Sequence, residues 1–332
     1  MSRRNMTVGQ IEELVENPGI PIRQPATAIL TVDTADRLAR TKVNDLYINK
    51  QETLVQGYFT RLALTELNFN WDIPNVNAYN NTMNLVFYYA PGLFFPLKIS
   101  IAENFYGMAD LATAVQNALN SAIAAVPVLA PLYTMNFIVE PENRQFRLVN
   151  TNGSAKKFGI SPLGKVEKGS TDLCDVMGFA TADPAVEANI VQSGYATMLY
   201  TPYFDIVSRQ LTKKQNVRDS GTSDTTGQNL LARVYINPFG IVPNPAAAIS
   251  PAPPEKDAIL GAKPFTIHYE FQNPKQVYWD TKEFINVIDL QLLDNKGRVL
   301  YETPTELTLG GSLYRLGSGE ANWQLTFQIT ET

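Results

Sequence analysis

The stretch from Phe284 to Tyr301, FINVIDLQLLDNKGRVLY, limits the possible folds of this chain more than any other. Read as extended backbone, Phe284, Asn286, Ile288, Leu290 and Leu292 share one face and Ile285, Val287, Asp289, Gln291 and Leu293 the other. Both faces are largely apolar, which suits a strand pressed between two layers or into an oligomer contact. Asp294-Asn295-Lys296-Gly297 supplies the short polar side chains and the glycine of a hairpin turn, with Val299-Leu300-Tyr301 as the predicted return strand.

Strand patterns recur along the chain. Tyr58 to Trp71 is a long candidate, with Phe59, Ala63, Leu67, Phe69 and Trp71 in one parity but Leu62 and Leu64 in the other. Alternation is cleaner at Met83, Leu85, Phe87 and Tyr89, at Leu230, Ala232, Val234 and Ile236, at Phe265, Ile267, Tyr269 and Phe271, and at Trp323, Leu325, Phe327 and Ile329. With roughly eight strands, irregular loops and no βαβ repeat, the expected class is all-β, an antiparallel β-sandwich of two face-packed sheets.

Residues 97–195 change character. Leu111, Val115, Leu119, Ala122 and Ile123 recur at helical spacing, Asp110 sits in the first turn, and Val126-Pro127 ends the only long helix expected. A hairpin follows, Met135 to Val139 returning through Phe146 and Leu148, and Cys174 to Phe179 (CDVMGF) closes a small α+β subdomain. This reads as an insertion into a discontinuous sandwich formed by 28–96 and 196–332, preceded by an arm at 1–27. Seven prolines between 237 and 264 mark a surface loop within the second half.

A 332-residue chain can bury a sizeable core. Its net charge of −5 argues against general nucleic-acid binding, which needs clustered lysine and arginine. One cysteine precludes an internal disulfide, and one histidine precludes a two- or three-histidine metal site within the chain. The opening MSRRNMTVGQIEELVENPG lacks the apolar run of a secretory signal, so synthesis as a soluble intracellular chain is expected. No catalytic residue, cofactor or metal is expected.

Tyr200 to Arg218, YTPYFDIVSRQLTKKQNVR, resembles the minor capsid or penton proteins of virophages and large eukaryotic DNA viruses. So do Ala232-Arg233-Val234-Tyr235, the strand from Phe265 to Phe271, Asn273-Pro274-Lys275 with Trp279, and Ile288 to Leu292 leading through Asp294-Asn295-Lys296-Gly297 to Leu300-Tyr301. These segments cover about residues 198 to 301 in order and spacing. The resemblance implies a single jelly roll standing upright in a virion shell, with five copies closing around an icosahedral vertex after assembly in the host cytoplasm or nucleus. It also implies contacts with the major capsid protein and other minor capsid proteins, and no catalysis.

Candidate contact residues are few. Arg209, Lys213, Lys214 and Arg218 set four cations against Asp205 alone, suited to an acidic neighbour or, more weakly, an internal membrane or packaged DNA; a solvated face explains them equally well. Phe284, Ile288 and Trp279 are candidate intersubunit anchors. His268, beside Thr266 and Glu270, reads as a surface group able to titrate near neutrality, and Cys174 as a buried inert thiol. Asp172, Asp175 and Asp183 lack the spacing of a calcium loop, and the glycines at 310–311 and 317–319 lack the context of a phosphate loop. The alternative function is a carbohydrate-binding or host-attachment module using Tyr79, Tyr278 and Trp279, with a glycan or receptor met through the insertion.

Overall fold

The computed structural model describes residues 26–38, 42–49, 59–140, 142–152, 156–160, 172–179, 190–213, 229–236, 265–278, 285–302, 306–309, 312–315 and 323–331. Residues 1–25 of the predicted arm, the whole proline-rich loop at 237–264 and Phe284 lie outside them, while Thr27, counted with the arm, opens β1. In chain order the elements are β1 (Thr27–Asp33), β2 (Asp45–Asn49), β3 (Phe59–Trp71), β4 (Thr82–Ala90), β5 (Leu93–Ser100), α1 (Met108–Ala124), β6 (Met135–Glu140), β7 (Gln145–Asn150), β8 (Phe158–Ile160), α2 (Asp172–Met177) and β9 (Ile190–Gln192). Then follow β10 (Tyr203–Val207), β11 (Leu230–Tyr235), β12 (Phe265–Glu270), β13 (Gln276–Tyr278), β14 (Val287–Asp294), β15 (Glu306–Leu309), β16 (Ser312–Arg315) and β17 (Trp323–Glu331).

One sheet runs β1-β17-β3-β12, with β13 also on β3, and a second runs β11-β10-β14-β2, every pair antiparallel. Counting β1, β2, β3, β10, β11, β12, β14 and β17 as first to eighth, the sheets read first-eighth-third-sixth and fifth-fourth-seventh-second. That interleaving is the jelly roll, two Greek keys folded into one sandwich. Leu67, Phe69, Trp323, Leu325 and Phe327 from the first sheet meet Phe204, Ile206, Ile288, Leu290 and Leu292 from the second in one buried core. Phe204 lies 5.5 Å from Phe69 and 6.1 Å from Trp71 between ring centroids, at the centre of that contact.

The mixed parity of β3 has a structural cause. Leu62 and Leu64 are buried together with Leu67, Phe69 and Trp71 because the register with β17 shifts between Glu66 and Leu64, leaving Thr65 as the bulged residue. Thr65 donates its hydroxyl to the Thr326 carbonyl, and its own carbonyl accepts from Phe271 N–H where β12 ends. A similar shift between β10 and β11 leaves Leu231, Val234 and Ile236 buried, so the expected alternation over Leu230, Ala232, Val234 and Ile236 is corrected at its first two positions.

β14 is also corrected. It is a central strand whose Ile288, Leu290 and Leu292 face the core, whereas Val287, Asp289 and Gln291 are half-exposed and the latter two are engaged in polar contacts. The two-sided apolar ribbon is therefore one-sided over most of its length. The return of the predicted hairpin is brief: Leu293 bridges Val299, and Leu300 N–H donates to the Leu292 carbonyl. Gly297, at φ +75°, makes the turn as expected.

A second core begins well before residue 97. β4, predicted with the sandwich, instead pairs with β5 and β8, and Met83, Leu85 and Phe87 pack with α1, α2 and the β6-β7-β9 sheet. Leu111, Val115, Leu119 and Ile123 of α1 are buried as the helical spacing predicts. Its amides close the edge of β6: Asn120 exchanges two hydrogen bonds with the Met135 backbone, and Gln116 accepts from Phe137 N–H. In CDVMGF, residues Cys174 to Met177 belong to the short helix α2.

Tyr133 pins this second unit. Its single phenolic hydrogen is shared between the carbonyls of Tyr88 at 2.8 Å and Lys157 at 2.6 Å, and burial pushes its pKa up to about 12. The folded state favours the protonated phenol, so this contribution is complete below the unfolded pKa near 10 and is lost as pH rises toward 12. Tyr133→Phe is expected to cost about 1–2 kcal/mol at neutral pH, with the difference from wild type fading in the alkaline range. Thermal melts of both proteins across that range provide the check, and a difference that persists at the alkaline end contradicts the assignment.

Candidate assembly surface

The outer face of the second sheet carries a built cluster. Because Phe204 and Ile206 turn inward, Tyr203 and Asp205 turn outward, opposite Tyr235 and Arg233 of β11. Arg233 donates through Nε to Asp205 Oδ1 at 2.7 Å and through Nη2 to Oδ2 at 2.9 Å, while its guanidinium lies 4.2 Å from the Tyr203 ring centroid. The Asp205 hydrogen bonds drive the Arg233 pKa higher still. Tyr235 is 60% exposed beside Tyr203. A fixed fork between tyrosines loses little conformational freedom on contact, which is why Tyr and Arg dominate protein–protein hot spots.

Asp289 organises the neighbouring turn. Its carboxylate accepts from Ser208 Oγ (2.6 Å), Arg209 N–H (3.1 Å) and Gln210 N–H (2.9 Å), and Thr212 Oγ1 donates to the Ser208 carbonyl. Leu211 and Thr212 are buried, leaving Arg209 and Lys213 exposed on a hydrogen-bonded turn. Lys214 and Arg218 lie outside the described residues.

The opposite sheet presents different chemistry. His268 Nδ1 lies 2.7 Å from Asn68 Oδ1, with Glu66 at 3.6 Å from Nδ1 and Glu270 at 3.5 Å from Nε2. Tyr278 is exposed, with Arg61 5.5 Å from its ring. The outer face of the second sheet thus groups tyrosines around an Arg–Asp pair, with Arg209 and Lys213 on the adjoining turn, whereas the opposite sheet sets His268 between two glutamates.

Between the two cores runs a fixed joint. Asp294, only 3% exposed, accepts from the N–H groups of Lys296 and Arg298 and from Arg298 Nε. Arg298 Nη2 donates to Tyr200 Oη at 2.6 Å and its guanidinium covers the Tyr79 ring at 4.4 Å, while Tyr79 packs against both cores and donates to the Val299 carbonyl. Tyr200 and Asp294 raise the Arg298 pKa despite an opposing desolvation cost. Lys296 pairs with Asp175 at 3.0 Å, and Tyr301 donates to Glu103. The segment leaving β3 is equally rigid: Asn75 exchanges two hydrogen bonds with the Tyr106 backbone, and Asn80 accepts from Asn77 N–H and donates to the Asn75 carbonyl.

Several predicted sites resolve differently. Ile288 is 1% exposed in the sandwich core, so it anchors the fold and its assignment as an intersubunit contact is corrected. Tyr79 is committed to the joint. Cys174 is buried, as expected. Asp175 is the partner of Lys296, Asp172 opens α2, and Asp183 and Trp279 lie outside the described residues, as do the glycines at 310, 311, 317 and 319. Among the described residues no group of three or more His, Cys, Asp and Glu side chains could hold a metal. Tyr203, Arg233, Tyr235 and Asp289 were not singled out from sequence, because their value appears only when β10 is aligned with its two neighbours.

No known protein family's sequence profile matches the chain, and no curated protein matches it in sequence. Among solved structures it is similar to the mavirus penton protein, at a TM-score of 0.48 and 11% identity over 93% of this chain and 100% of that one. It is also similar to a chain of the Sputnik virophage solved by cryo-electron microscopy, at a TM-score of 0.38 and 10% identity over 93% of this chain and 98% of that one.

Proposed function

We propose that this chain is a structural capsid subunit, and that five copies close into a ring at an icosahedral vertex. The observation that supports the reading is the strand order of the sandwich, a single complete jelly roll, together with the segment from 198 to 301 that resembles penton proteins and maps onto β10 to β14. The sandwich is the shell-forming unit, and β4 to β9 with α1 and α2 form the inserted one. A closed ring needs two different complementary surfaces on each copy. The turn bearing Arg209 and Lys213, together with Tyr203, Arg233 and Tyr235 along the strands that lead to it, supplies one, and Glu66, His268 and Glu270 supply the other. Neighbouring major and minor capsid proteins take the surfaces left over.

Electron micrographs and solution mass at high protein concentration test this. Five-membered rings are expected, with Arg209→Glu/Lys213→Glu dispersing them and Glu66→Lys/Glu270→Lys restoring them in that background. A chain that remains solitary at every concentration overturns the ring, and glycan binding by that solitary chain favours the attachment module instead.

A further inference from the structure

The tip of the β4–β5 hairpin is apolar where a surface loop is ordinarily polar. Pro91, Gly92, Leu93, Phe94 and Pro96 are all exposed, Leu93 at 51% and Phe94 at 39%, in the run Tyr88-Tyr89-Ala90-Pro91-Gly92-Leu93-Phe94-Phe95-Pro96. Its base is locked rather than loose. Tyr88 faces Phe94 in register, with ring centroids 6.3 Å apart, and Tyr133 ties the carbonyls of Tyr88 and Lys157. Lys156 Nζ donates to the Tyr89 carbonyl at 3.1 Å, which sets an ammonium directly behind the tip.

The strands that carry the tip hold charge of one sign. Across residues 82–100 and 156–160, which make up β4, β5 and β8 with their turns, the charged side chains are Lys98, Lys156 and Lys157, with no acid, in a chain whose net charge is −5. Phe94, Pro96 and Lys98 follow one another on the outward face of β5. Exposed Leu and Phe come first, tyrosines stand behind them, and lysines flank those. Apolar side chains enter the acyl boundary, tyrosine suits the headgroup level, and lysine stems reach back to anionic headgroups. Two residues on each arm of the hairpin advance about 7 Å, which matches the depth of an interfacial contact. Among the described residues no helix is long and apolar enough to cross a membrane.

We propose that the β4–β5 tip docks on the surface of an anionic lipid bilayer, with Leu93 and Phe94 inserted and Lys98, Lys156 and Lys157 against the headgroups. Binding of this kind is independent of ring assembly. The test is co-flotation of the full chain with phosphatidylcholine vesicles and with vesicles containing about one-third phosphatidylserine; a preference of about tenfold or more for the second is expected, weakening with salt. Leu93→Asp/Phe94→Asp abolishes flotation while the chain stays folded at the assay temperature, and Lys98→Gln/Lys156→Gln/Lys157→Gln removes the preference for anionic vesicles. Leu93→Trp gives a fluorescence blue shift and quenching by brominated acyl chains. Absence of wild-type flotation, or flotation retained by the double aspartate variant, overturns the proposal. So does a change in self-association in that variant when wild type binds no lipid, because the tip is then a protein contact.

Discussion

Arg298→Ala is expected to destabilise the protein by about 3 kcal/mol, because it leaves the Asp294 carboxylate buried without its cationic partner. The loss falls at the joint: the same guanidinium holds Tyr200 and covers Tyr79, so the sandwich and the second core lose their shared clamp together. Arg298→Lys keeps the charge but not the planar fork and is expected to fall between the two. Urea unfolding followed in wild type, both variants and Asp294→Asn/Arg298→Ala provides the measurement. If the double variant is no more stable than Arg298→Ala alone, the stranded carboxylate is not the source of the loss.

The other large effect lies at the end of α2. Gly178 has φ +78°, and a Cβ there sits 2.6 Å from the Tyr195 carbonyl oxygen, 2.7 Å from its carbon and 2.9 Å from Ala196 N. Those are backbone atoms, held in place by the Gly194 N–H hydrogen bond to the Gly178 carbonyl at 2.7 Å, so they have no rotamer by which to yield. Gly178→Ala is expected to cost about 3 kcal/mol or more, combining backbone strain with overpacking. Gly297→Ala, at a similar φ but in open space, is expected to cost only about 1 kcal/mol. Cys174 lies buried four residues before Gly178, so its reaction with a thiol reagent reports the displacement directly: rapid in Gly178→Ala, slow in wild type and Gly297→Ala. Equal thiol reactivity in all three refutes the clash.

Parts of the fold were legible because their signals are local. Trp323, Leu325, Phe327 and Ile329 alternate and are all buried, and Leu111, Val115, Leu119 and Ile123 follow helical spacing and line one face of α1. β3 carried a visible conflict of parity, but its cause, the bulge at Thr65, depends on β17 lying alongside. α2 spans six residues, too short for a period to declare itself. The candidate assembly surface was the least legible part. The cations at Arg209 and Lys213 could be read directly, whereas Asp289, which aims their turn, lies about 80 residues away on β14.

By itself the sequence determined the alternating strands, the long helix α1 and the turn at Gly297, because side-chain period and turn chemistry act over a few residues. Only the tertiary structure decided that β4 belongs to the second core, that Ile288 faces inward, and that Asp205, Arg233, Tyr203 and Tyr235 form one cluster. Those outcomes depend on which strands become neighbours. That is settled by the joint burial of two apolar faces and by hydrogen bonds between groups distant in sequence, energies that exist only once those segments meet.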